Sequence, residues 1–414
     1  MVTFEDIEAA RQRMRGQLMD TPLSPATNLS QMCGSQLFMK LENLQVTGSF
    51  KERGALNRLL LMTPAERDRG VFAASAGNHA QGVARHASRL GIRSTIVMPE
   101  GTPLLKVTRT RRFGADVVLH GASYDDAYRH ARTLCNEVDG VFVHPFDDPA
   151  VIAGQGTIAL ELVEQNPYLQ TVVVPIGGGG LISGIAMGLK ETNPRIRIVG
   201  VQTEAMPSMK AAVDAGMPVE VPFHPTIADG IAVRTAGVHT LEMVQKYVDD
   251  IVTVNEEEVA GALLQLIEEE KVVAEGAAAA GVAAVLYGHV PHAHGRKTGL
   301  IICGGNIDTN LIAAIIERGL VKSGRRAQLE VLVSDQPGGL ARLTQIVAET
   351  RANILEIHHE RHGTMIRLGE TIVQLSLETR GFDHVTSLME RLTRAGYRVR
   401  IDQPAGVEPA GPGE

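Results

Sequence analysis

The sequence has few cysteines and no surplus of positive charge. Cys33, Cys135 and Cys303 are far apart in a chain of 414 residues, and none belongs to a Cys-x-x-Cys pair. Three isolated cysteines argue against a disulfide framework and favour a reducing compartment. The formal net charge of −7 gives no indication of a nucleic-acid or anionic-membrane partner.

Long apolar runs are also missing. The alanine-rich run at 277–286 is too short to cross a membrane. The N-terminal stretch MVTFEDIEAARQRMRG contains acidic residues and lacks the apolar region of a signal peptide. The composition, 44% hydrophobic and 21% charged, is ordinary for a globular protein with a full core. We therefore expect a cytoplasmic protein, and the length predicts about two to three domains.

Apolar runs typical of buried strands alternate with helical patterns up to residue 319. The runs that we predict as strands are 71–74, 94–98, 116–119, 171–176, 196–202 and 298–303. Near-continuous apolar strands separated by helices indicate parallel sheets that are covered on both faces. The pattern therefore predicts the α/β class.

The pattern changes after Gly319. A short basic and polar stretch, 321–327, has the composition of a linker, and residues 328–403 follow the order β-α-β-β-α-β of a ferredoxin-like domain. The strands of this segment alternate apolar and polar residues, as expected for a sheet covered on one face. The Pro- and Gly-rich tail, 404–414, is expected to be disordered.

The stretch TGSFKERGA places a lysine at the predicted start of a helix. Ser49 and Glu52 fit the S-x-x-E capping box, in which Ser49 accepts a hydrogen bond from the backbone N–H of Glu52. Lys51 would then lie in the first helical turn, where the helix dipole disfavours a cation and eases the loss of its proton. For this stretch alone, a solvated lysine at a capped helix is the simpler explanation.

Gly177–Gly180 are four consecutive glycines between a predicted strand and a helix. Without Cβ atoms the backbone can approach an anion closely, and the N–H groups of the new helix point at it, which predicts a phosphate cradle. The stretch lacks the residues of a P-loop and the spacing Gly-x-Gly-x-x-Gly, although Glu204 imitates the ribose-binding acid of a nicotinamide site. A dinucleotide site and a flexible turn remain as alternatives.

Two further stretches follow predicted strands. In SAGNHAQGVA, which begins at Ser75, Ser75 and Asn78 offer side-chain hydrogen bonds and the backbone N–H groups are placed for a carboxylate. An ordinary helix cap with Asn78 and His79 at the surface is the alternative. ICGGNID, which begins at Ile302, ends a predicted strand with a turn that carries polar residues. Cys303 is either a residue of the site or simply a buried strand residue.

Together with TIADGIAV at 226–233, these stretches and their order along the chain resemble those of one family. The family is that of the threonine dehydratases (threonine ammonia-lyases) and their serine dehydratase and serine racemase relatives. The resemblance covers about residues 4–320. It implies a pyridoxal-phosphate enzyme of the tryptophan-synthase β-like fold (fold type II), a two-lobed body at 1–320 with a small lobe of about 51–150 inserted in a large one. Residues 328–403 resemble an ACT domain, through DQPGGL and ANI.

The resemblance implies a role for each stretch. Lys51 would bind the cofactor covalently and later act as a base, with Phe50 beside the pyridine ring. Asn78 would bond the ring hydroxyl, and Cys303 would face the pyridine nitrogen as a neutral partner that favours elimination. The backbone N–H groups that would hold the phosphate are those of Gly177, Gly178, Gly179, Gly180 and Leu181. The residues that would surround the substrate carboxylate are Ser75, Gly77, Asn78 and His79.

The implied reaction is the conversion of L-threonine to 2-oxobutanoate and ammonia, with L-serine as a secondary substrate. A dehydratase or racemase for serine or another 3-hydroxy amino acid such as hydroxyaspartate is the alternative within the fold. A non-catalytic amino-acid sensor acting through the ACT domain is the alternative from another class. No metal is expected, because QTEAMPSM offers the single acid Glu204 where racemase relatives carry an acidic site.

The ACT-like segment implies regulation and assembly. We expect a homo-oligomer, a dimer or a tetramer, because ACT-like sheets commonly pair side by side between subunits. An amino-acid effector, isoleucine or valine, would bind where glycines meet a strand-to-helix turn, since free N–H groups there can hold a carboxylate. The residues predicted for this effector site are Asp335, Gly338, Gly339 and Leu340.

Overall fold

The computed structural model describes residues 2–360, 367 and 369–401. Contacts divide the chain into two compact units, Met1–Ile307 and Asp308–Glu414. The tail predicted at 404–414 lies outside the described residues. No helix in the described part of the chain combines the length and the apolar character needed to span a bilayer.

The first unit alternates helices and strands along most of its length. Its helices are α1 (Phe4–Met14), α2 (Thr27–Cys33), α3 (Lys51–Leu60), α4 (Pro64–Arg69), α5 (Asn78–Arg89), α6 (Leu104–Arg112), α7 (Tyr124–Glu137), α8 (Pro149–Gln165), α9 (Gly180–Thr192), α10 (Ser208–Ala215), α11 (Val238–Tyr247), α12 (Glu256–Glu268) and α13 (Gly276–Leu286). Its strands are β1 (Leu23–Pro25), β2 (Gln36–Leu41), β3 (Val71–Ala74), β4 (Ser94–Met98), β5 (Asp116–Leu119), β6 (Val141–Phe142), β7 (Thr171–Pro175), β8 (Arg197–Thr203), β9 (Asp250–Val254) and β10 (Lys297–Ile302).

These strands form two sheets. The large lobe has the order β1-β2-β10-β7-β8-β9, parallel except for the antiparallel edge strand β1. The small lobe has the order β5-β4-β3-β6 and is parallel throughout. Every residue of β3 and β7 is buried, which explains their uninterrupted apolar sequences. The predicted α/β class with parallel sheets in two lobes is confirmed.

The second unit has the predicted β-α-β-β-α-β order. Its elements are α14 (Thr309–Lys322), β11 (Arg326–Ser334), α15 (Gly339–Glu349), β12 (Asn353–Glu360), β13 (Glu370–Glu378), α16 (Phe382–Arg394) and β14 (Arg398–Ile401). The four strands form an antiparallel sheet in the order β12-β13-β11-β14. Leu329, Val331 and Val333 alternate along β11 on the buried face, where they pack with Leu343 of α15 and Leu388 of α16.

The linker predicted at 321–327 is largely ordered secondary structure. Helix α14 continues to Lys322 and strand β11 begins at Arg326, so that three residues separate the two elements. The basic residues that suggested a linker have structural places: Lys322 lies in the last helical turn, where a cation is favourable, and Arg326 pairs with Glu317 of α14. Contacts group α14 with the second unit.

Several of the site-forming stretches follow the carboxyl ends of parallel strands. Strand β7 leads into the four glycines and β10 leads into Cys303. In the small lobe, β3 leads into Ser75 and β6 leads towards Pro145. Loops beyond the carboxyl ends of parallel strands are the usual position of ligand sites in α/β proteins.

Candidate active site

Lys51 is the first residue of α3 and is half-buried. Its Nζ donates a hydrogen bond to Pro145 O at 2.7 Å and lies 5.1 Å from the centre of the Phe50 ring. Burial lowers the pKa of Lys51 to about 8, against the opposing influence of Cys303 and Glu275. The predicted direction of the shift is therefore right, but its main cause is removal from water.

The predicted capping box is wrong. Helix α3 begins at Lys51 with Phe50 at its N-cap, and no side chain caps it. Ser49 instead pairs with Gly304 in an isolated β-bridge, and its buried Oγ has no hydrogen-bond partner among the described residues. The carboxylate of Glu52 accepts from the backbone N–H of Thr47. The backbone pairing of Ser49 with the end of β10 decides this geometry, and a local motif does not reveal such a contact.

Arg53 anchors the start of α3, a function that the sequence analysis missed. It is 2% exposed, and its guanidinium donates to Glu42 at 2.8 Å and 2.7 Å and to Glu161 Oε2 at 2.9 Å. Glu42 follows β2, while Glu161 belongs to α8. The ion pairs thus join α3 to two other elements two residues after Lys51. The motif SFKERGA contained this arginine, but its sequence alone does not identify the partners.

Asn78 is held between two large-lobe residues. Its Nδ2 lies 2.9 Å from each carboxyl oxygen of Glu275, and its Oδ1 accepts from Asn306 Nδ2 at 2.8 Å. Asn306 also donates to Thr47 O at 2.7 Å, beside the stretch that carries Lys51. Asn306 belongs to the stretch ICGGNID, whose sequence does not reveal this role. Glu275 has no sequence signal beyond its place before the alanine-rich helix α13.

Cys303 and Glu275 lie side by side with unusual acidities. Cys303 is 2% exposed, and its Sγ is 3.9 Å from Glu275 Oε1. Burial raises the pKa of Cys303 well above its usual value, so the thiol is neutral. Burial also raises the pKa of Glu275 to about 7, although the hydrogen bond from Asn78 opposes it. A neutral thiol at this position matches the predicted neutral partner for a pyridine nitrogen.

The small-lobe residues predicted around a substrate carboxylate lie at the start of α5. Ser75 Oγ accepts a hydrogen bond from the Gly77 N–H at 3.2 Å, and a Cβ added at Gly77 would meet no atom within 4 Å. His79 is buried with its Nε2 2.8 Å from Val143 O, so Nε2 donates and the ring is fixed within the lobe. Burial lowers the pKa of His79 to about 3, and nearby Lys51 lowers it further, so the ring is neutral.

The four glycines form an anion cradle by geometry. Gly179 is left-handed with φ +98 and caps α9. No backbone N–H from Gly177 to Leu181 finds a hydrogen-bond acceptor within the part of the chain that the structure describes. Five successive free N–H groups at a helix start fit a phosphate group. Glu204, which imitated the ribose-binding acid of a nicotinamide site, is exposed.

Protein neighbours also require these glycines. A Cβ on Gly178 would lie 2.4 Å from the Phe146 ring, and one on Gly179 would lie 2.5 Å from Met209 and 2.7 Å from Thr240. The approach of an anion is the reason for the glycines that the sequence predicts. The structure adds a second reason: the small-lobe loop that carries Phe146 packs directly on the turn.

The predicted effector residues lie in the loop between β11 and α15. Gly338 is left-handed with φ +89 and caps α15. The N–H of Gly339 donates to Gln336 O at 3.0 Å, and Leu340 packs against the core of the second unit. The Gly339 amide is therefore already paired within the loop, which leaves fewer N–H groups for a carboxylate than the sequence analysis assumed.

Comparison with known proteins agrees with the site. The family described as pyridoxal-phosphate dependent enzyme matches residues 15–304, and the ACT domain family matches 327–393. The chain is 50% identical over 401 residues to the L-threonine ammonia-lyase of Thermotoga maritima, covering 97% of this chain and 100% of the relative. It is 45% identical over 318 residues to a catabolic L-threonine dehydratase of Escherichia coli, covering 76% of this chain and 96% of the relative.

A solved structure shows the same fold. The structure of maize serine racemase superposes with a TM-score of 0.73 at 33% sequence identity, covering 77% of this chain and 98% of the racemase. The Lys51 amine, the neutral Cys303 thiol and the free N–H groups of the glycine turn fit a pyridoxal phosphate. The predicted family, fold and cofactor are confirmed. The chain belongs to the threonine ammonia-lyase family of pyridoxal-phosphate dependent enzymes and carries a C-terminal ACT domain.

Proposed function

We propose that the chain converts L-threonine to 2-oxobutanoate and ammonia, with L-serine as a secondary substrate. The observation that carries the proposal is the placement of Lys51, a half-buried amine with a pKa lowered to about 8 that donates to Pro145 O and interacts electrostatically with Cys303. The 50% identity to the L-threonine ammonia-lyase of Thermotoga maritima supports threonine as the substrate. The presence of Lys51 and the membership of a family of enzymes argue against the alternative of a non-catalytic amino-acid sensor.

Pyridoxal phosphate, when bound, withdraws electrons from the substrate and so acidifies its Cα proton. Lys51 would hold the cofactor covalently, and the N–H groups of Gly177–Leu181 would hold its phosphate. Asn78 would bind the ring hydroxyl, Phe50 would pack beside the ring, and Cys303 would stay neutral at the ring nitrogen. Each role rests on the contacts given above and stays a proposal.

Lys51 is suited to move the proton. An amine whose pKa lies near 8 is neutral in an appreciable fraction of molecules at neutral pH, so that it can accept a proton and release it again. The carbonyl oxygen of Pro145 accepts from Nζ and so orients the amine from the small-lobe side. The stretch from Ser75 to His79 would bind the substrate carboxylate next to this amine.

The experiment that tests the function is an assay of 2-oxo-acid release over a panel of 3-hydroxy amino acids. We expect L-threonine to give the highest kcat/KM and L-serine a lower one. Because the fold is shared with maize serine racemase, formation of D-serine is measured in parallel. A higher kcat/KM for hydroxyaspartate or serine, or D-serine as the main product, would overturn the threonine assignment.

We also propose a homo-oligomer that binds isoleucine or valine through its ACT domain. Strand β12 is an edge strand, and Leu355 and Ile357 on it are 40% and 39% exposed, which supports pairing with a second copy. The effector site at Asp335, Gly338, Gly339 and Leu340 stays a prediction. The cytoplasmic location also stays a prediction.

A further inference from the structure

Glu275 joins the two lobes of the first unit through Asn78. Both of its carboxyl oxygens lie 2.9 Å from Asn78 Nδ2, while Asn78 Oδ1 accepts from Asn306 Nδ2. The orientation of the carboxamide is therefore determined on both sides: its nitrogen faces an acceptor and its oxygen faces a donor. Asn78 starts α5 of the small lobe, whereas Glu275 precedes α13 of the large lobe.

The carboxyl group of Glu275 is enclosed by main chain. The residue is 4% exposed, and a Cβ on Gly304 would lie 2.4 Å from Oε1. A Cβ on Gly230 would lie 3.2 Å from the same oxygen. Glu275 N–H donates to Gly304 O at 3.0 Å. Glycines on both sides thus leave room for a carboxyl group that points at Asn78.

We propose that Glu275 is a positioning residue whose ionised carboxylate fixes the carboxamide of Asn78 and thereby sets the affinity of the site for its cofactor. The inference rests on the proposed function in one respect: Asn78 is expected to bind the ring hydroxyl of pyridoxal phosphate. It adds a large-lobe residue and a protonation state to that role.

The chemistry of the contact requires the ionised form. Both oxygens of a carboxylate accept hydrogen bonds, whereas a protonated carboxyl group carries a donor on one of them. The amide nitrogen of Asn78 has no capacity to accept, so protonation of Glu275 replaces one acceptor by a donor without a partner on Asn78. The hydrogen bonding that orients the Asn78 carboxamide therefore weakens as Glu275 takes up a proton.

The surroundings of Glu275 place this change near neutral pH. The ionisable groups around it are Cys303, Lys51, Asp229 and Lys106, and the last two form an ion pair at 2.8 Å. Burial raises the pKa of Glu275 to about 7; Asp229 raises it further, while the hydrogen bond from Asn78 and the charge of Lys106 lower it. Affinity for the cofactor should therefore increase as the pH rises through about 7.

The test measures binding of pyridoxine 5′-phosphate to the full-length chain by calorimetry between pH 5.5 and 9. This probe keeps the ring hydroxyl and the phosphate but has no aldehyde, so it cannot link covalently to Lys51. The ratio of wild-type affinity to that of Glu275→Gln is compared at each pH, because the titration of the probe itself cancels in the ratio. We expect the ratio to rise from near one at low pH to about tenfold above pH 8, the loss of one hydrogen bond to a charged group.

Two further variants test whether the pH-dependent change in affinity arises from Glu275 and acts through Asn78. Asp229→Asn removes a neighbouring negative charge, so the midpoint of the wild-type profile should move to lower pH without disappearing, and Glu275 itself is unchanged in this variant. In an Asn78→Ala background, Glu275→Gln should have no further effect on affinity, because its action passes through Asn78. A merely structural role of Glu275 would leave a constant effect in that background.

A wild-type to Glu275→Gln ratio that is near one or independent of pH would overturn the proposal, as would loss of the inflection in Asp229→Asn. The outcome is separable from that of the proposed function. Binding is measured without turnover, and release of 2-oxobutanoate by the wild-type chain would stand even if the affinity ratio were flat.

Discussion

At the residue scale, the acidity of Lys51 follows from its burial. The start of α3 is pinned by the Phe50 N–H, which donates to Cys303 O at 3.0 Å, and by the ion pairs of Arg53 with Glu42 and Glu161. The amine is therefore carried to a fixed position between Phe50 and Pro145. Its pKa of about 8 is the consequence of leaving water there.

Lys51→Ala should abolish turnover and covalent attachment of the cofactor, because no other amine is assigned to the site. Borohydride treatment of the loaded enzyme followed by mass spectrometry measures the attachment directly. Lys210→Ala, which changes an exposed lysine, should retain both the attachment and the turnover. A cofactor adduct on the Lys51→Ala chain would contradict the assignment.

Glu275 should make stability depend on pH between about 4.5 and 7. Its pKa rises from 4.5 to about 7 on folding, so the folded chain holds a proton that the unfolded chain has lost in this window. Stability is highest below the lower value and falls as the pH rises, by about 3 kcal/mol in all.

Thermal unfolding of the cofactor-free chain at a series of pH values measures this dependence. Glu275→Gln cannot ionise, so its melting temperature should exceed that of the wild type by more at pH 8 than at pH 5. An equal difference at the two pH values would show that Glu275 does not titrate in this window.

At the element scale, glycines allow α3, α8 and α9 to pack closely around the site. A Cβ on Gly54 of α3 would lie 2.8 Å from Val151 O of α8. On the other side of α8, a Cβ on Gly184 of α9 would lie 2.4 Å from Ile152 O and 2.6 Å from Gly156 N. Backbone atoms cannot move aside as a flexible side chain can, so a methyl group forces the helices apart.

Gly184→Ala should therefore destabilise the chain by about 1–3 kcal/mol, the usual cost of overpacking. Gly101→Ala is the matched control, because a Cβ there meets no atom within 4 Å and its φ is not positive. Denaturant unfolding of both variants measures the difference. Equal stability of the two variants would mean that α8 and α9 separate without cost.

The elements of this fold differ in how well local sequence predicts them. Strands β3, β4 and β5 have the predicted bounds, since a buried parallel strand needs an apolar run between polar ends. The start of α3 was predicted from a capping motif that does not form. Its actual start depends on Ser49 pairing with Gly304, a residue more than two hundred positions away in the chain.

At the scale of the whole molecule, contacts divide the chain into two units, and a different family matches each of them. The boundary after Ile307 assigns α14 to the second unit. A chain cut after Leu320 would keep most of α14 but lose β11, whose first residue Arg326 pairs with Glu317 of α14. The Escherichia coli dehydratase aligns over 96% of its own length with only 76% of this chain. Almost all of this relative is thus aligned, while about a quarter of this chain is left unaligned.

A chain that ends at Ile307 should keep its turnover of L-threonine and lose any response to isoleucine or valine. In the full-length chain, the effector should change the apparent KM by about 5–150-fold, the usual range of allosteric coupling. Initial-rate assays of both forms with each amino acid make the comparison. An effector response that survives the truncation would place the effector site in the first unit.

The sequence by itself determined the α/β class, the order of the elements and the glycine turn. These properties depend on residues that are neighbours in the chain, through strand patterning, turn chemistry and the free N–H groups of a helix start. The tertiary structure alone decided that Asn78 meets Glu275, that Arg53 meets Glu42 and Glu161, and that Phe146 packs on Gly178. Such contacts join residues that are far apart in the chain, and local sequence carries no information about which distant groups tertiary packing brings together.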